Sequence, residues 1–581
     1  MARTLGLKAL IGLLTLHNAS GTPVNKRRPD YPTAPLHSSQ VPRLGAVASE
    51  TDICSRIGTD LLKAGGNAAD ALVGTVACIG VTGMYHSGLG GGGFMLVRSS
   101  NGTYEFIDFR ETAPAAASEN MYKNNTKASE EGGLASGVPG EVRGLQYLHE
   151  RYGVLPWKTV FEPAVKVARD GWRVNEDLVR YMASATNNYA NNFLLNDPQF
   201  AVDFAPHGRL LTLNETITRK RYANTLEIIG SEGPDAFYNG GIAYSMIRAV
   251  QASNGIMTLE DLKNYKVAIR KPSTITYRDY KLTACSAPSG GEVALTALKI
   301  MEGYSDVGNP ANLNLTTHRL DESMRFAYGM RAELGDPLFV KGMDKFQEEM
   351  LSEATAAEIR KKIFDNSTFG VSYYNPTGLE SLETPGTSHV VTADASGMAI
   401  SLTTTVNLLF GSKLVVPETG IIMNNEMNDF SIPNTTNAFG YIPSAANFIR
   451  PGKRPLSSIS PVIVEHLHAP ISKAFYVAVG AAGGSRIITA TIQNLVHLLD
   501  GKMTTHDALA QPRFHDQLVP STAAFEYAFD NATTAFMTQI GANVTWVAPG
   551  GSSAQALRLL PNGTFEAAGE PRQKNSGGFA V

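Results

Sequence analysis

Apolar and small polar residues alternate from Thr387 to Val406, on both sides of the turn cluster Asp394-Ala395-Ser396-Gly397. Alternation around such a cluster predicts a β-hairpin, with Thr387 opening its first strand. Two shorter runs, Pro461 to His466 and Lys473 to Val479, predict further strands. The part of the chain that begins at Thr387 is therefore predicted to be rich in β-structure.

Helical patterns prevail before the hairpin, and one more follows it. The residues on either side of Gly65-Gly66 predict two helices joined by a tight hinge. The predicted helices are Thr51 to Lys63, Asn67 to Ile79, Pro156 to Ala168, His318 to Gly335 and Ile487 to Asp500. A polar segment rich in Pro, Gly, Ser and Thr, Asn375 to Pro385, precedes the hairpin and is the best linker candidate.

The composition is that of a large globular protein with little net charge. With 581 residues, 43% of them apolar, the chain can bury a large core, and its length alone suggests several domains. The formal net charge of −3 comes from 50 basic and 53 acidic residues, without a polybasic run. We therefore expect no nucleic-acid partner.

Two features indicate the secretory pathway. Arg3 and Lys8, the short apolar stretch Ala9 to Leu16 and the small residues Ala19-Ser20-Gly21 have the layout of a signal peptide cleaved near Ala19. An uncleaved N-terminal anchor is the alternative. A dense set of glycosylation sequons also favours export, and we expect a secreted, cell-surface or vacuolar glycoprotein. The sequons begin at Asn101, Asn124, Asn214, Asn314, Asn366, Asn434, Asn531, Asn543 and Asn562.

Thr387 is also a candidate nucleophile. A threonine hydroxyl within a chain is a poor nucleophile, but an N-terminal threonine can use its own α-amine as the base. Gly386 lacks a Cβ and can hold the backbone angles of a strained bond that the Thr387 hydroxyl attacks. This arrangement predicts a chain that cuts itself between Gly386 and Thr387. Taken alone, Pro385-Gly386-Thr387 would more often be an ordinary turn entering a strand.

Further motifs along the chain favour the self-cleavage site over an ordinary turn. They are Gly65 to Ala71, Gly88 to Phe94, Asp108 to Pro114, Thr403 to Asn407, Asn424 to Ser431, Lys453 to Ser458 and Gly480 to Ser485. Together with Thr387-Ser388-His389, this ordered set closely resembles the γ-glutamyltransferase (γ-glutamyl transpeptidase, glutathione hydrolase) family of N-terminal-nucleophile hydrolases. The resemblance spans roughly residues 45 to 581.

The resemblance implies a fold and an organisation of the chain. This family folds the two products of self-cleavage into one α+β body, a four-layer αββα sandwich, which replaces the several domains suggested by length. The implied segments are a signal peptide, 1–19, a large subunit, 20–386, and a small catalytic subunit, 387–581. The two subunits are expected to stay together as a heterodimer.

The resemblance also implies a catalytic set. Thr387 supplies the hydroxyl and the α-amine base, and Thr405 lies beside it and hydrogen-bonds to one of the two. The backbone N–H groups of Gly483 and Gly484 approach the carbonyl oxygen that becomes an oxyanion. Without the resemblance, Gly483-Gly484 is better explained as packing or a helix start, and Thr405 as a surface strand residue. His389 faces the same side as Thr387, but the family mechanism needs no histidine, and we interpret it as structural.

A γ-glutamyl donor carries an α-carboxylate and an α-ammonium on the same carbon. Arg110 has the forked geometry that suits a carboxylate, and by resemblance Ser457 and Ser458 bind the same group. The resemblance assigns the ammonium to Asn407, Glu426 and Asp429. The competing explanations are a surface ion pair for Arg110 and a turn for the two serines.

The implied reaction begins when Thr387 attacks the γ-amide of glutathione or another γ-glutamyl compound. Cys-Gly leaves, and water, an amino acid or a dipeptide then accepts the γ-glutamyl group. One alternative is an amidase like the β-lactam side-chain acylases, which has no need of Glu426 and Asp429. Another is an uncut, inactive secreted homologue, against which the intact catalytic set argues.

Neither a cofactor nor a metal is expected. No spacing of His, Cys, Asp or Glu indicates a metal site. Gly88 to Gly93 precedes a predicted strand rather than opening a helix, so it does not complete a dinucleotide-binding fingerprint.

The remaining expectations concern the cysteines and a loop. Cys54 and Cys78 lie 11 and 13 residues from Gly65, so a disulfide between the hinged helices is geometrically reasonable, and animal relatives have this pairing. Cys285 is expected to be buried and unreactive.

The loop Pro433 to Pro451 is as long as the lid of bacterial relatives, with Phe439 near the place of its aromatic residue. Asn428 stands where many relatives have an acid, which puts a direct ammonium contact there in doubt.

Overall fold

The computed structural model describes residues 43–376, 386–433 and 443–581. The predicted signal peptide, most of the predicted linker, the sequon at Asn434 and Phe439 of the predicted lid lie outside the described residues. Among the helices of the described segments, none has the length and apolar character that a membrane span requires.

A seven-stranded antiparallel sheet contains the predicted hairpin. In spatial order its strands are β18 (Gly577–Ala580), β1 (Gly45–Ser49), β9 (Ser388–Asp394), β10 (Ala399–Thr405), β2 (Gly92–Arg98), β3 (Tyr104–Asp108) and β6 (Ala268–Arg270). The hairpin prediction is confirmed, because β9 pairs with β10 and places His389 opposite Thr403. The first strand begins at Ser388, one residue after Thr387.

A second, six-stranded antiparallel sheet contains both further strands that the sequence predicts, β11 and β12. In spatial order it consists of β17 (Phe565–Ala568), β16 (Ser553–Leu559), β12 (Phe475–Ala482), β11 (Val462–His466), β8 (Tyr280–Ala284) and β7 (Ser273–Tyr277). Two small sheets complete the described β-structure. They are β13 (Phe514–His515), β14 (Ala523–Glu526) and β15 (Val544–Val547), and β4 (Trp172–Arg173) with β5 (Thr216–Ile217).

The five predicted helices are all present as α1, α2, α4, α13 and α17, with ends that differ by a few residues. The helices before the hairpin are α1 (Asp52–Lys63), α2 (Ala68–Thr82), α3 (Glu141–Tyr152), α4 (Trp157–Asp170), α5 (Glu176–Ala185), α6 (Phe193–Asn196), α7 (Pro198–Phe204), α8 (Lys220–Glu232), α9 (Asp235–Asn239), α10 (Gly241–Ala252), α11 (Leu259–Asn264), α12 (Gly291–Met301), α13 (Leu313–Arg331), α14 (Met343–Met350) and α15 (Glu353–Arg360). Those after it are α16 (Ile471–Ala474), α17 (Arg486–Leu499), α18 (Thr505–Ala510) and α19 (Asn531–Gln539).

The two large sheets lie face to face, and helices cover both outer faces. In β10, Ile400 and Leu402 point outward into one apolar core with α2, α4 and α8. Ala399 belongs to the other core, which also holds β11, β12, α12 and α17. Ser401, on the same inner face, donates a hydrogen bond to the carbonyl of Val479 at 3.3 Å. The strand alternation thus builds the predicted four-layer αββα sandwich, and this fold is confirmed.

The predicted disulfide between the hinged helices is present. Cys54 of α1 is bonded to Cys78 of α2. The chain can turn sharply between α1 and α2 because Gly65 adopts a φ of 92°, and Asn67 caps α2 by accepting hydrogen bonds from its first turn. Cys285 is a buried free thiol, and burial raises its pKa well above the usual value.

Candidate active site

A pocket opens beside Thr387, where β9 begins and β10 ends. Its empty volume is about 610 Å³ when the space at its mouth is included. Nine of the ten predicted site residues line it, namely Arg110, Thr387, Thr405, Asn407, Glu426, Asp429, Ser457, Ser458 and Gly484. Gly483, the tenth, is the neighbour of Gly484 but not part of the lining. The fold therefore brings together residues that are up to several hundred positions apart in the sequence.

Thr387 has a strained backbone in the uncut chain. Its φ is 102°, a region that β-branched residues rarely occupy. Before it, a Cβ added to Gly386 would lie 1.7 Å from the carbonyl oxygen of Asn407. The bond predicted to be cut thus joins a residue that must lack a side chain to one in an unfavourable conformation.

The Thr387 hydroxyl is held by Thr405, the last residue of β10. It donates a hydrogen bond to Thr405 Oγ1 at 3.2 Å, and the same oxygen accepts the N–H of Asn407 at 2.7 Å. Both threonines are buried, with 5% of Thr387 and 2% of Thr405 exposed. Thr405 lies where the sequence placed it, in hydrogen-bonding contact with the candidate nucleophile.

The hydrogen bonds of the His389 ring in the described part of the chain go to residues other than Thr387. Its ring shares a hydrogen bond with Thr403 Oγ1 at 2.8 Å, and a Cβ on Gly480 would lie 2.3 Å from that ring. Burial lowers the pKa of His389 to about 3, so the imidazole is neutral at physiological pH. Its contacts are those of a side chain packed between the two sheets.

The predicted oxyanion loop joins β12 to α17. Gly483 and Gly484 have φ values of 120° and 59°, which favour glycine at both positions. Within the described residues, neither N–H donates a hydrogen bond. Tyr328 of α13 donates to the carbonyl of Ser485 at 2.7 Å and holds the turn that follows. Gly484 of this loop lines the pocket that contains Thr387.

Arg110 forms ion pairs with the two predicted ammonium-binding acids. Its Nη1 donates to Glu426 Oε1 and its Nη2 to Asp429 Oδ2. Only 1% of the Arg110 side chain is exposed. Its backbone is fixed as well, since its N–H donates to Asp108 Oδ1 at 3.0 Å and its carbonyl accepts the Tyr265 hydroxyl at 2.8 Å. The surface ion pair considered for Arg110 with a sequence neighbour is not what the structure shows.

Burial controls the protonation of this charge cluster. Burial opposes the charged form of Arg110, but Glu426 and Asp429 together raise the pKa of Arg110 above its usual value. Burial also raises the pKa of Glu426 to about 8, with Asp429 adding to the effect and Arg110 opposing it. The pKa of Glu111 is raised well above its usual range by burial and then by Glu426. Burial thus favours the neutral forms of Glu426 and Glu111, and the positive charge of Arg110 opposes this effect at both carboxyls.

The two serines predicted to bind the carboxylate belong to the Lys453 to Ser458 segment and line the same pocket as these acids. The Ser457 N–H donates to the carbonyl of Pro288 at 2.8 Å, and its Oγ accepts the N–H of Ile459 at 3.2 Å. Ser458 Oγ accepts a hydrogen bond from Nη2 of Arg331 at 3.3 Å. The serine hydroxyls are thus fixed in place by neighbouring donors.

Asparagines anchor the segment that carries Glu426 and Asp429. Asn424 Nδ2 donates to the carbonyls of Gly90 and Gly137 at 2.7 and 2.9 Å, and its Oδ1 accepts the N–H of Glu426 at 3.0 Å. Asn428 donates to Ser129 Oγ at 2.8 Å and does not line the pocket. The position of Asn428 agrees with the doubt about a direct ammonium contact from that residue.

Sequence reasoning missed several polar residues of the lining, including Arg331, Ser431, Ser444 and Asn447. Arg331 ends α13, and its pattern indicated only a helix. Ser444 and Asn447 belong to the loop that was interpreted as a lid, where the sequence gives no periodic signal. Among the described residues, no cluster of three His, Cys, Asp or Glu side chains is suited to hold a metal ion.

Comparison with known proteins shows which family the chain resembles. The model of the gamma-glutamyltranspeptidase family matches residues 54–580. A glutathione hydrolase proenzyme of Arthroderma benhamiae is 55% identical over 550 residues, which cover 93% of both chains. A glutathione hydrolase of Aspergillus flavus is 51% identical and covers 94% of this chain and 91% of its own length.

The fold also has a match among solved structures. The crystal structure of a cephalosporin acylase from Bacillus halodurans superimposes with a TM-score of 0.80 at 25% identity, covering 96% of this chain and 99% of that one. The family model spans nearly all of the sandwich described above, and it includes every residue of the pocket. On these grounds, the chain belongs to the γ-glutamyltranspeptidase family.

Proposed function

We propose that the protein is a γ-glutamyltransferase and glutathione hydrolase that matures by cutting its own Gly386–Thr387 bond. The observation that carries the proposal is the content of one pocket: the Thr387 hydroxyl, the N–H of Gly484 and the ion pairs of Arg110 with Glu426 and Asp429. The first two suit acyl transfer, and the charges suit a zwitterionic glutamyl group. Relatives at 51% and 55% identity carry the name glutathione hydrolase.

Maturation would start from the strained precursor. The Thr387 hydroxyl attacks the carbonyl carbon of Gly386, the chain nitrogen leaves, and water then releases the Gly386 carboxylate. The products are the proposed large and small subunits, 20–386 and 387–581, and a free α-amine on Thr387. The φ of 102° at Thr387 favours this step, because cutting the bond releases the strain. Both products would contribute strands to each large sheet, and in the first sheet β1 of the large subunit lies between β18 and β9 of the small subunit.

Donor binding would exchange one set of ion pairs for another. In the empty pocket, Arg110 is paired with Glu426 and Asp429. A glutamyl group brings a carboxylate to Arg110, Ser457 and Ser458, and an ammonium to Glu426, Asp429 and Asn407. Since the pKa of Glu426 is about 8, an arriving cation favours its ionised form and strengthens the contact. The exchange keeps the buried charges paired throughout.

The chemical steps would follow a ping-pong order. The freed α-amine of Thr387 takes the proton of its own hydroxyl as Oγ1 attacks the γ-amide carbon of glutathione. The oxyanion is bound by N–H groups of Gly483 and Gly484, and the amine proton passes to the leaving nitrogen of Cys-Gly. Water, an amino acid or a dipeptide then attacks the γ-glutamyl ester and regenerates Thr387. No cofactor enters any of these steps.

A β-lactam side-chain acylase is the second candidate, because a cephalosporin acylase superimposes over 96% of this chain. Its 25% identity is less than half that of the glutathione hydrolases. An acyl group without an α-ammonium has no positive charge that the buried acids Glu426 and Asp429 could bind. These acids therefore support the γ-glutamyl substrate.

We also propose that the protein is exported and glycosylated. Seven sequon asparagines are exposed in the described part of the chain, which leaves them open to modification; they are Asn101, Asn124, Asn214, Asn366, Asn531, Asn543 and Asn562. Asn314 is half-buried and accepts a hydrogen bond from Thr533 at 2.8 Å. The N-terminal layout described from the sequence is consistent with the same route.

A single assay series tests the proposal. The purified protein should appear as two fragments on a denaturing gel and release the amine from a γ-glutamyl anilide, faster when glycylglycine is present as acceptor. Thr387→Ala should stay one uncut chain without activity. A Thr387→Ala protein that is cut and active would refute the proposed mechanism, and an uncut wild-type chain would favour the inactive homologue.

A further inference from the structure

Asn447 links the two halves of the proposed glutamyl-binding site. It lies in a short 3₁₀ turn, Ala445–Asn447, and only 5% of it is exposed. Its Nδ2 donates to the backbone carbonyl of Asp429 at 2.7 Å. Its Oδ1 accepts the N–H of Leu456, the residue before Ser457, at 2.9 Å. One planar amide thus connects an acid proposed to bind the ammonium with the serines proposed to bind the carboxylate.

Backbone contacts strengthen this link. The carbonyl of Asn447 accepts the N–H of Ser431, two residues beyond Asp429, at 3.1 Å. Lys453 Nζ donates to the carbonyls of Ala446 and Phe448 at 2.7 and 2.8 Å, and so fixes the residues on both sides of Asn447. The turn is therefore tied to both binding segments by its main chain, and Asn447 sets their spacing through its side chain.

The amide chemistry explains why asparagine stands here. The link needs a donor toward the Asp429 carbonyl and an acceptor for the Leu456 N–H on the same short side chain. Among side chains of this length, only asparagine offers both. An aspartate keeps the acceptor, but it loses the donor and places a carboxylate oxygen against a carbonyl. The α-carboxylate and α-ammonium of a glutamyl group are attached to one carbon, so their spacing is fixed and displacements of about 0.5 Å in either binding segment weaken its binding.

We propose that Asn447 is a positioning residue that holds the ammonium-binding and carboxylate-binding segments at the spacing of a glutamyl group. The proposal rests on the proposed γ-glutamyl specificity. Asn447 acts through Asp429 and Ser457 and not on the scissile amide, so its loss affects the binding of the donor and leaves the chemical step intact. It also leaves self-cleavage intact, since cutting at Thr387 involves no glutamyl substrate.

The test compares Asn447→Asp with Asn67→Asp as a matched control. Asn67 also uses both ends of its amide, accepting from the N–H of Ala69 at 2.9 Å and donating to the carbonyl of Tyr152 at 2.6 Å, but it lies outside the pocket. Both variants are checked for the two fragments, for Tm, and for KM and kcat with a γ-glutamyl anilide. Asn447→Asp should be cut normally and should raise KM about tenfold or more while kcat stays within about threefold. Asn67→Asp should keep the wild-type KM.

The outcomes separate this inference from the proposed function. Wild-type KM in a cut and folded Asn447→Asp protein overturns the inference and leaves the proposed function intact. A fall in kcat at constant KM overturns it as well. If the wild-type protein is inactive on the anilide, the proposed function itself is refuted. If Asn447→Asp does not fold, Asn447→Gln, which keeps donor and acceptor on a longer arm, must raise KM at constant kcat, and an unchanged KM there overturns the inference.

Discussion

Replacing Arg110 with lysine separates donor binding from the chemistry of the site. The guanidinium contacts Glu426 and Asp429 through two different nitrogens, and only 1% of its side chain is exposed. A lysine ammonium is a single charge on a flexible stem, so it cannot hold two groups in the same forked geometry. In the donor complex, the variant is likewise limited to one charge-assisted hydrogen bond to the α-carboxylate where arginine makes two.

The expected magnitude follows from one lost contact. A hydrogen bond to a charged group contributes about 1.5–3 kcal/mol, so the loss of one raises the dissociation constant of the donor by about 10- to 150-fold. We expect KM for a γ-glutamyl anilide to rise by that factor while kcat changes little. Two fragments should still form, because cutting at Thr387 involves no γ-glutamyl donor.

Arg219→Lys is the matched control for this experiment. Arg219 is equally buried, with 1% exposed, and donates to the carbonyls of Gly80 and Gly420 at 2.6 and 2.7 Å, away from the pocket. The control should lower Tm and keep the wild-type KM. If Arg110→Lys instead blocks self-cleavage and leaves KM unchanged, Arg110 supports the fold and does not bind the donor.

Two further substitutions test the charges of the molecule. Asp429→Ala removes a proposed partner of the ammonium and should weaken the binding free energy of γ-glutamyl donors by about 2–5 kcal/mol. The variant should distinguish a donor from its analogue without the α-amine far less than wild type does, and equal discrimination would show that Asp429 does not bind the amine. Glu292→Gln tests a carboxyl that is fully buried on α12, where burial raises the pKa of Glu292 to about 8. Because the unfolded chain releases this proton above about pH 4.5, the group loses about 1.4 kcal/mol of stability per pH unit between about pH 4.5 and pH 8. The Tm of Glu292→Gln relative to wild type should therefore be higher at about pH 8 than at about pH 5, and an equal difference at both would contradict the raised pKa.

Local features of the fold could be predicted from sequence because neighbouring residues determine them. The hairpin of β9 and β10 follows from alternation around four turn residues, and the helix pair joined by Cys54 and Cys78 follows from a Gly-Gly hinge. The placement of β1 between β18 and β9 carries no such signal. Those strands are separated by hundreds of residues, and the chain holds no local pattern that selects which distant strand becomes a neighbour.

The candidate site also has features that the sequence predicts and features that it does not. Motifs indicated nine residues of the pocket, including Arg110, Glu426 and Asp429, but not that Arg110 would pair with both acids in the empty protein. That pairing arises because a buried charge needs a partner whenever the donor is absent. The role of Asn447 was not predicted, for a different reason. Its role depends on two backbone groups from separate segments, and neither of them is visible in the residues around it.

The interleaved strands of the seven-stranded sheet also affect the lifetime of the protein. In the first sheet, β9, β10 and β18 follow the proposed cut, and β1, β2, β3 and β6 precede it. An uncut chain that unfolds can return to this arrangement alone, because both partners belong to one molecule. After the cut, separated fragments must first meet in solution, and their reassembly depends on protein concentration. Cleavage would thus make folding a one-time event, after which the durability of the enzyme is set by how slowly it unfolds.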